Sequence, residues 1–379
     1  MYDTIIVGGG ITGLYCALSL PHEKVLLLEE SDYWGGRILT HYHPQYEIGA
    51  GRFHKNHTLL FALIKRFGLT PVPIPGRLDY IDEDGVIPNV DQYMSTLIRK
   101  MKLKESMRHQ TFYESCLETF GEEDAAQFVN VFGFYEPYYK NAYDTLQSLK
   151  KDFTGDFYVL KEGLSELCNR MVKEIQGKKI LNHRVTSIER VDDHFNIDGY
   201  KTKRVIVTIP PSFFKHFPIL DPYRSISDSI TQGPLLRIYA KYPTPSWFET
   251  LSKMTTSHEL RHIIPIHDGI IMIAYVEDSD IRPFVKNTNK LQLKPVKEIE
   301  PLIHSILIKL FPTIKIPSPL WVRPYLWKIG THAWLPGHTS KLLKTLPVIE
   351  NLQVCGEALS IRQSWIEGSL ESAERALSF

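Results

Sequence analysis

Three glycines near the start of the chain follow a short apolar run at a fixed spacing. Gly8, Gly10 and Gly13 form a G-x-G-x-x-G pattern, and Glu29 ends the next apolar run. In such a pattern the first glycine permits a tight turn, the second lets the backbone approach a pyrophosphate, and the third lets a helix pack closely on a strand. Glu29 can accept hydrogen bonds from ribose hydroxyls. These residues therefore predict a dinucleotide-binding site.

Two further glycine-containing segments could extend this site. Gly36 and Arg37 follow Glu29 closely, and the guanidinium of Arg37 can bind the pyrophosphate. Gly51 and Arg52 lie in a second glycine-rich segment, where the glycines predict a close approach of the backbone to a flat ring. We expect all four residues to bind the cofactor. Ordinary turns are the alternative interpretation of both segments.

The elements that position these residues follow from apolar runs and helical periodicity. Residues 2–7 and 24–29 are short apolar runs, which are typical of buried strands, and residues 11–20 between them have a helical pattern. A strand, a helix and a strand within about 30 residues imply a parallel pair with a right-handed crossover. We predict a Rossmann-like α/β unit here. Further strands are predicted at residues 183–190, 195–197, 204–209 and 352–355, and further helices at residues 162–175 and 365–377.

The composition excludes several classes of protein. The chain has 379 residues and a net charge of +1, from 44 Lys+Arg against 43 Asp+Glu, so we expect no nucleic-acid partner and no anionic membrane partner. Its four cysteines include no C-x-x-C pair, and no residues have metal-ligand spacing. No uncharged apolar run reaches the roughly 18 residues that span a bilayer. We expect a cytoplasmic protein without a metal site.

The segments that carry these motifs resemble a known family. VGGGITGLYCALSL, VLLLEESDYWGGRI, EIGAGRF and the late segment QSWIEGSLESAERA are similar to the FAD-dependent amine oxidases, which include monoamine and polyamine oxidases. Carotene desaturases and protoporphyrinogen oxidases share much of the opening. The resemblance implies FAD as cofactor, with Val185, Gly356, Glu357 and Ile366 among the residues that hold it. It also implies noncovalent FAD, because residues 328–337 lack the cysteine to which monoamine oxidases attach the flavin.

The resemblance implies a two-domain architecture, in which a Rossmann-like FAD-binding domain is combined with a discontinuous mixed α+β substrate domain. The FAD-binding domain is expected to be assembled from three separate parts of the chain. Residues 91–150 are rich in tyrosine and helical in period, and we expect them to shape the entrance or to mediate formation of a homodimer. The predicted segments are 1–75, 156–212 and 320–379 for the FAD-binding domain, and 76–155 and 213–319 for the substrate domain.

The resemblance also implies the residues around the reacting carbon. Trp365 occupies the position of an aromatic residue in front of the flavin, and either His332 or Trp334 is expected to be its partner. Aromatic faces attract a cationic amine and exclude water. Arg237 occupies the position of a family lysine that holds a water near flavin N5. A surface arginine on an edge strand is the alternative interpretation of Arg237.

The expected reaction is oxidation of a small-molecule amine, with hydride transfer to flavin N5, dioxygen as reoxidant and hydrogen peroxide as product. Three alternatives remain open. One is a desaturase or protoporphyrinogen-oxidase-like enzyme, which a long apolar tunnel would favour. Another is an amino-acid oxidase, which needs an arginine facing the pocket to bind carboxylate. The last is a flavin-binding module without turnover, for which the arginine in place of the lysine is the main argument.

Overall fold

The computed structural model describes residues 1–152 and 155–378. The helices are α1 (Ile11–Leu18), α2 (Thr58–Arg66), α3 (Val90–Lys100), α4 (Phe112–Phe120), α5 (Glu122–Phe132), α6 (Ala142–Asp152), α7 (Leu164–Glu174), α8 (Arg224–Asp228), α9 (Val296–Leu310) and α10 (Ile366–Leu377). The strands are β1 (Tyr2–Val7), β2 (Val25–Leu28), β3 (Thr40–Tyr42), β4 (Gln45–Glu47), β5 (Phe53–His54), β6 (Pro71–Pro73), β7 (Leu78–Asp82), β8 (Gly85–Ile87), β9 (Phe157–Leu160), β10 (Lys178–Ile180), β11 (Ile188–Val191), β12 (His194–Ile197), β13 (Tyr200–Val207), β14 (Ile230–Lys241), β15 (Lys253–Thr255), β16 (His262–His267), β17 (Ile270–Glu277), β18 (Val285–Asn287), β19 (Gln292–Leu293), β20 (Trp321–Trp334) and β21 (Leu352–Val354).

One seven-stranded sheet contains the start and the end of the chain. Its order is β10-β2-β1-β13-β12-β11, and β21 also pairs with β13. Strands β10, β2, β1, β13 and β21 are parallel. All four residues of β2 are buried, as expected of a parallel strand covered on both faces. The predicted strand–helix–strand unit is present, and α1 connects β1 to β2.

The last helix is built into the same layer. Helix α10 packs on α1, and its Leu370 and Ala373 lie in one apolar core with residues of α1. The carboxylate of Glu367 accepts hydrogen bonds from the backbone N–H groups of Leu59 (2.9 Å) and Leu60 (3.0 Å), in the first turn of α2. A carboxylate in that place satisfies N–H groups that have no partner within their own helix. Helix α10 therefore fixes the start of α2.

A second seven-stranded sheet has the order β20-β14-β17-β16-β15-β7-β8. Long antiparallel strands form its centre, and the register places Arg237 of β14 opposite Tyr275 of β17 and Tyr325 of β20. Helix α9 packs its apolar stripe against this sheet. Strand β20 belongs to this sheet, although the predicted boundary at residue 320 assigns it to the FAD-binding domain. The predicted domain boundaries remain a hypothesis.

Residues 91–150 are largely helical, as their periodicity indicates. Helices α3 to α6 enclose an apolar core of their own that includes Met94, Phe112 and Phe128. Thr111 and Glu114 form a reciprocal capping box at the start of α4. Within the described ranges, no helix is long and apolar enough to cross a membrane.

One predicted strand, residues 183–190, begins later than expected, at Ile188. The backbone N–H groups of Thr186 and Ser187 donate to the carboxylate of Asp198 instead of to a neighbouring strand, with a distance of 2.8 Å for Ser187. Short polar side chains often compete in this way for backbone donors. Residues 183–187 are therefore not part of a strand, and Val185 lies near the carboxyl ends of β1 and β2.

Candidate FAD and substrate site

A cavity of about 920 Å³ runs from the carboxyl ends of β1 and β2 to the face of the second sheet. The carboxyl edge of a parallel sheet is where α/β proteins bind ligands. The sequence-predicted residues that line this cavity are Gly8, Gly10, Glu29, Gly36, Arg37, Gly51, Arg52, Val185, Arg237, His332, Trp334, Gly356, Glu357, Trp365 and Ile366. The cavity therefore brings together residues from all three predicted parts of the FAD-binding domain.

Glycines at the sheet edge allow contacts that a side chain would prevent. A Cβ atom on Gly13 would lie 1.9 Å from the carbonyl oxygen of Gly8, and one on Gly49 would lie 2.0 Å from that of Arg37. The predicted role of Gly13, close packing of helix on strand, agrees with this distance. Gly8 and Gly10 of the same turn line the cavity, where a pyrophosphate would need close approach to backbone N–H groups.

Glu29 lies at the mouth of the glycine loop. Its side chain is buried, and its two carboxylate oxygens accept hydrogen bonds from the N–H groups of Gly9 (2.6 Å) and Ser31 (2.8 Å). Both bonds hold the carboxylate at the end of β2, where the ribose acceptor of a dinucleotide site is expected. Glu29 therefore lies at the end of β2 beside the glycine turn, and its role as ribose acceptor stays a prediction.

Glu29→Ala is expected to weaken FAD binding by roughly ten- to a hundredfold. The substitution removes charge-assisted hydrogen bonds to the ribose, of about 1.5–3 kcal/mol. Titration of apoprotein with FAD, followed by flavin fluorescence, measures the change. Glu350→Ala, an exposed carboxylate outside the cavity, is the control. Unchanged FAD affinity in Glu29→Ala would show that Glu29 is not the ribose acceptor.

A buried carboxylate connects three parts of the site. Glu357 is 6% exposed and accepts hydrogen bonds from Arg37 Nη2 (2.5 Å) and from the Ser364 N–H (2.6 Å). Its Oε1 also lies 2.5 Å from Nδ1 of His332. The positive charge of Arg37 and the contact with His332 outweigh burial and hold the pKa of Glu357 far below its usual range. The ionised carboxylate thus orients both the arginine and the imidazole.

Trp365 forms part of an aromatic wall at the start of α10. Its ring stacks on Phe157, with centroids 5.9 Å apart at an angle of 13°, and meets the edge of His57 at 5.1 Å. The backbone of His332 is hydrogen-bonded to the side chain of Ser364, the residue before Trp365. His332 is thereby held next to this wall.

The side chain of Trp334 is held by a hydrogen bond and by packing in an apolar core. It is 2% exposed, its indole N–H donates to the carbonyl of Ser360 at 3.1 Å, and it packs in an apolar core with Leu343 and Leu359. One side of the residue still lines the cavity. His332, one of the two predicted partners of Trp365, is hydrogen-bonded to Ser364, the residue that precedes Trp365.

Arg237 lies in the middle of a sheet rather than on an edge strand. Its guanidinium donates to the backbone carbonyl of Glu47 at 3.0 Å and to that of Gly49, and its Cζ lies 4.7 Å from the ring centre of Tyr275. It is 8% exposed. These contacts fix a permanent positive charge against the glycine-rich segment that was expected to face the flat ring of the cofactor.

Two residues of the cavity wall are not predicted by the sequence. Glu277, at the end of β17, is 2% exposed and lines the cavity. His262 lines it as well, and burial lowers the pKa of His262 to about 3. The only sequence signal for Glu277 was a carboxylate that ends an otherwise apolar run, IIMIAYVE. That signal could not indicate which surface the carboxylate faces.

These features suit FAD. The glycine turns leave room for phosphates, Glu29 is placed for a ribose, and Arg37 and the N-terminus of α10 supply positive charge. Comparison with known proteins agrees: the model of the flavin containing amine oxidoreductase family matches residues 11–376. The chain belongs to this family, and FAD is its cofactor.

Individual relatives show how far the similarity extends. The flavin-containing amine oxidase of Oncorhynchus mykiss is 22% identical over 302 residues, which cover 65% of this chain and 58% of that protein. The (S)-6-hydroxynicotine oxidase of Paenarthrobacter nicotinovorans is 40% identical over 77 residues, 18% of each chain. This chain thus covers less than two thirds of either relative. A putrescine oxidase structure with bound putrescine has a TM-score of 0.81 at 16% identity, covering 100% of this chain and 98% of that one; the fold is the same.

Acid precipitation is expected to release intact FAD into the supernatant. The expectation rests on the lack of cysteine in residues 328–337. Cys355 also lines the cavity, but it is only 1% exposed and is expected to be a core residue. Absorbance of the supernatant and of the dissolved pellet gives the partition. Flavin that remains with the pellet would contradict noncovalent binding.

Proposed function

We propose that the protein oxidises a small-molecule amine, with dioxygen as final electron acceptor and hydrogen peroxide as product. When bound, FAD supplies the chemistry, by accepting a hydride equivalent from the carbon next to the amine nitrogen. The observation that carries the proposal is the position of Trp365. This residue is the N-cap of α10 and follows Ser364 of the Glu357 network, and its aromatic wall lies in the same cavity as the glycine turns.

The chain's own residues bind and orient the amine. The rings of Trp365 and Phe157 form an aromatic wall that excludes water from the reacting carbon, and the guanidinium of Arg52 lies over both rings. His332 is proposed as the second wall, because Glu357 and Ser364 hold it beside Trp365. The N-terminus of α10, at Ile366, offers unpaired N–H groups that stabilise negative charge by about 1–2 kcal/mol.

The charges around the cavity disfavour one alternative. Arg52 and Glu277 both line it without an ion pair in the described ranges, and a large, wholly apolar substrate would provide no partner for either group. A desaturase-like activity on such a substrate is therefore the less favoured function. Oxidation of a polar, charged amine suits the lining better.

The experiment that tests the function is anaerobic mixing of the purified protein with amines and amino acids. Loss of the oxidised flavin absorbance identifies a substrate, and readmission of dioxygen with detection of hydrogen peroxide completes the cycle. A protein that binds FAD but is bleached by no amine or amino acid would contradict the proposal and favour a flavin-binding module.

Trp365→Ala is expected to lower turnover by about tenfold or more while FAD stays bound. The substitution removes the ring beside the amine, whereas only backbone at the start of α10 is expected to meet the flavin. Steady-state oxidation and the flavin-to-protein absorbance ratio are measured together. Trp247→Ala, in the core of the second sheet, is the control for loss of a large ring. Full activity of Trp365→Ala would remove it from the site.

A further inference from the structure

The short contact between Glu357 and His332 determines which nitrogen of the imidazole carries a proton. An ionised carboxylate can only accept hydrogen bonds, so Nδ1 of His332, 2.5 Å from Oε1 of Glu357, must be the donor. In a neutral imidazole, the proton on Nδ1 leaves the lone pair on Nε2. The pair therefore has the arrangement of a general base, in which a buried carboxylate orients an imidazole and stabilises the imidazolium that forms.

The lone pair on Nε2 of His332 has no donor within the described ranges. The residue is 2% exposed, and Nε2 is shielded from solvent without a hydrogen-bond partner. A buried acceptor without a partner costs about 1–3 kcal/mol, so native structures normally supply a donor. His332 lines the cavity. We therefore expect the donor to belong to a molecule that binds there.

Two other histidines show what distinguishes His332. His262 also lines the cavity and has an unpaired Nε2, but burial lowers its pKa to about 3, so it cannot hold a proton near neutral pH. His194 lies 3.3 Å from the carboxylate of Asp193 and has an unpaired Nε2, but it is not among the described residues that line the cavity. His332 combines a buried carboxylate, an unpaired nitrogen and a place in the cavity wall.

The position of His332 also suits a proton acceptor for an amine. Its backbone N–H donates to the side chain of Ser364 at 3.2 Å, and Trp365 is the next residue in the chain. Arg37 balances the charge of Glu357 at the other end of the network. The ionised carboxylate favours the charged form of the ring, so a proton delivered to Nε2 would be held there.

Charged groups on several elements can influence the imidazole. Glu357 contacts it directly, and Arg37 acts through Glu357. The residue opposite it on β14 is the uncharged Gln232. Arg237 and Glu277 line the same cavity from the second sheet. Assignment of a proton to this ring therefore requires variants of the ring itself and of its carboxylate.

We propose that His332 is a catalytic residue that accepts a proton from the ammonium group of the substrate, and that Glu357 is the positioning residue that prepares it to do so. This inference rests on the proposed amine oxidation and adds a proton acceptor to it. His332 thereby has a second role besides forming the wall beside Trp365.

The proton transfer completes the chemistry of the amine. The N–H bond of the ammonium group breaks, its electron pair stays on nitrogen, and the proton forms a bond with Nε2. The neutral amine can then lose a hydride equivalent from the adjacent carbon to the cofactor, because the nitrogen lone pair stabilises the iminium ion that is left. Water hydrolyses the iminium ion to a carbonyl compound and ammonium. The hydride equivalent and the proton held by His332 together reduce dioxygen to hydrogen peroxide.

Nitrogen NMR of the holoenzyme with isotopically labelled histidine tests the pair without turnover. The signals of His332 are identified by their loss in His332→Gln. We expect the tautomer with its proton on Nδ1, and a lone pair on Nε2 that becomes protonated as the pH falls. A neutral ring with its proton on Nε2, or an imidazolium that persists up to about pH 9, would leave no lone pair for the substrate and would overturn the proposal.

The pH dependence of anaerobic flavin reduction separates a base from a structural residue. With benzylamine, butylamine or putrescine as the probe, reduction in His332→Gln should be slower by about a hundredfold or more near pH 7. The deficit should shrink towards about pH 10, because an amine that enters uncharged needs no base. His194→Gln, which removes a histidine that also adjoins a carboxylate, is the matched control and should behave as the wild type.

The opposite results are equally distinct. An equal deficit in His332→Gln at every pH would show a structural role and overturn the proposal. Loss of FAD from the folded variant, measured by the flavin-to-protein absorbance ratio, would place Nε2 at the cofactor and would overturn it too. Bleaching of the wild type by none of the amines would instead contradict the proposed function, while the NMR measurement still decides whether His332 can accept a proton.

Glu357→Gln tests the positioning residue and provides a second variant. The amide keeps the shape of the carboxylate but not its charge, so the imidazolium is less stabilised. Nε2 of His332 should therefore take up its proton about 1 pH unit or more lower than in the wild type, as followed by the same NMR signals. Glu350→Gln, at an exposed position, is the control. Protonation of Nε2 at the same pH in Glu357→Gln and the wild type would overturn the role of Glu357.

Discussion

Replacing Glu357 with alanine is expected to lower the free energy of unfolding of the apoprotein by about 3 kcal/mol. The carboxylate is 6% exposed and pairs with Arg37 and with His332, which is 2% exposed. Removing one member of a buried charged network costs about 3–5 kcal/mol, since the others are left without a partner. Because Arg37 is 33% exposed, it can recover hydrogen bonds to water in the variant. We therefore expect a loss of unfolding free energy at the lower end of this range. Guanidinium unfolding of apoprotein gives the value.

A second carboxylate provides the control. Glu350 pairs with Arg190 at 3.1 Å, but its side chain is 77% exposed, and surface pairs of this kind contribute about 0–1 kcal/mol. Glu350→Ala should therefore unfold at nearly the wild-type concentration of denaturant. If Glu357→Ala is no less stable than Glu350→Ala, the buried network does not contribute to stability.

The same network predicts how stability depends on pH. The pKa of Glu357 is depressed in the folded protein and lies near 4.3 in an unfolded chain. Its contribution is therefore fully present above about pH 5 and is lost as the pH falls through the folded pKa. The difference in unfolding free energy between wild type and Glu357→Gln should stay constant from pH 6 to 8, and it should shrink below about pH 4. A difference that grows towards acid pH would contradict the assignment.

Replacing Arg237 with methionine is expected to slow reoxidation of the reduced flavin by dioxygen on the order of tenfold to a hundredfold, and to change anaerobic reduction much less. The guanidinium is fixed by the carbonyls of Glu47 and Gly49 beside the segment expected to face the flavin. A fixed positive charge stabilises the negative charge that develops on oxygen during electron transfer. Stopped-flow absorbance measures both half-reactions separately.

Arg237→Lys is the matched variant for charge. It keeps the positive charge but loses the planar fork, so reoxidation should be as fast as in the wild type or faster. The FAD content of both variants must match the wild type, because Arg237→Met also leaves two backbone carbonyls without their donor. An unchanged reoxidation rate in Arg237→Met would mean that Arg237 does not act on the oxygen reaction.

The parts of the site that the sequence predicts are those fixed by local spacing. Gly8, Gly13 and Glu29 lie within one strand–helix–strand unit, whose geometry is determined over short distances, and the structure places them as expected. A helical pattern of similar range predicts a helix over residues 365–377, and α10 spans Ile366–Leu377. The fold class followed because these local patterns, taken together, are typical of one family.

The residues that the sequence does not predict depend on partners far away in the chain. Asp198 prevents a strand at residues 183–187, and neither segment contains a sign of that contact. Glu277 faces the cavity because β17 is paired in one register with β14, and a shift of one residue would turn it to the other face. Arg52 lies over the rings of Phe157 and Trp365, which are more than 100 residues further along the chain.

The attachment of α10 to α1 and α2 has a consequence for biosynthesis. The glycine turn and Glu29 leave the ribosome first, but Glu357, Trp365 and α10 complete the cavity only when about 340 more residues have been added. At roughly 5–20 residues per second, that interval lasts on the order of 20–70 seconds. During that time the apolar face of α1 lacks its partner, because Leu370 and Ala373 of α10 have not been made. Stable FAD capture must therefore wait until α10 has been synthesised and has docked on α1.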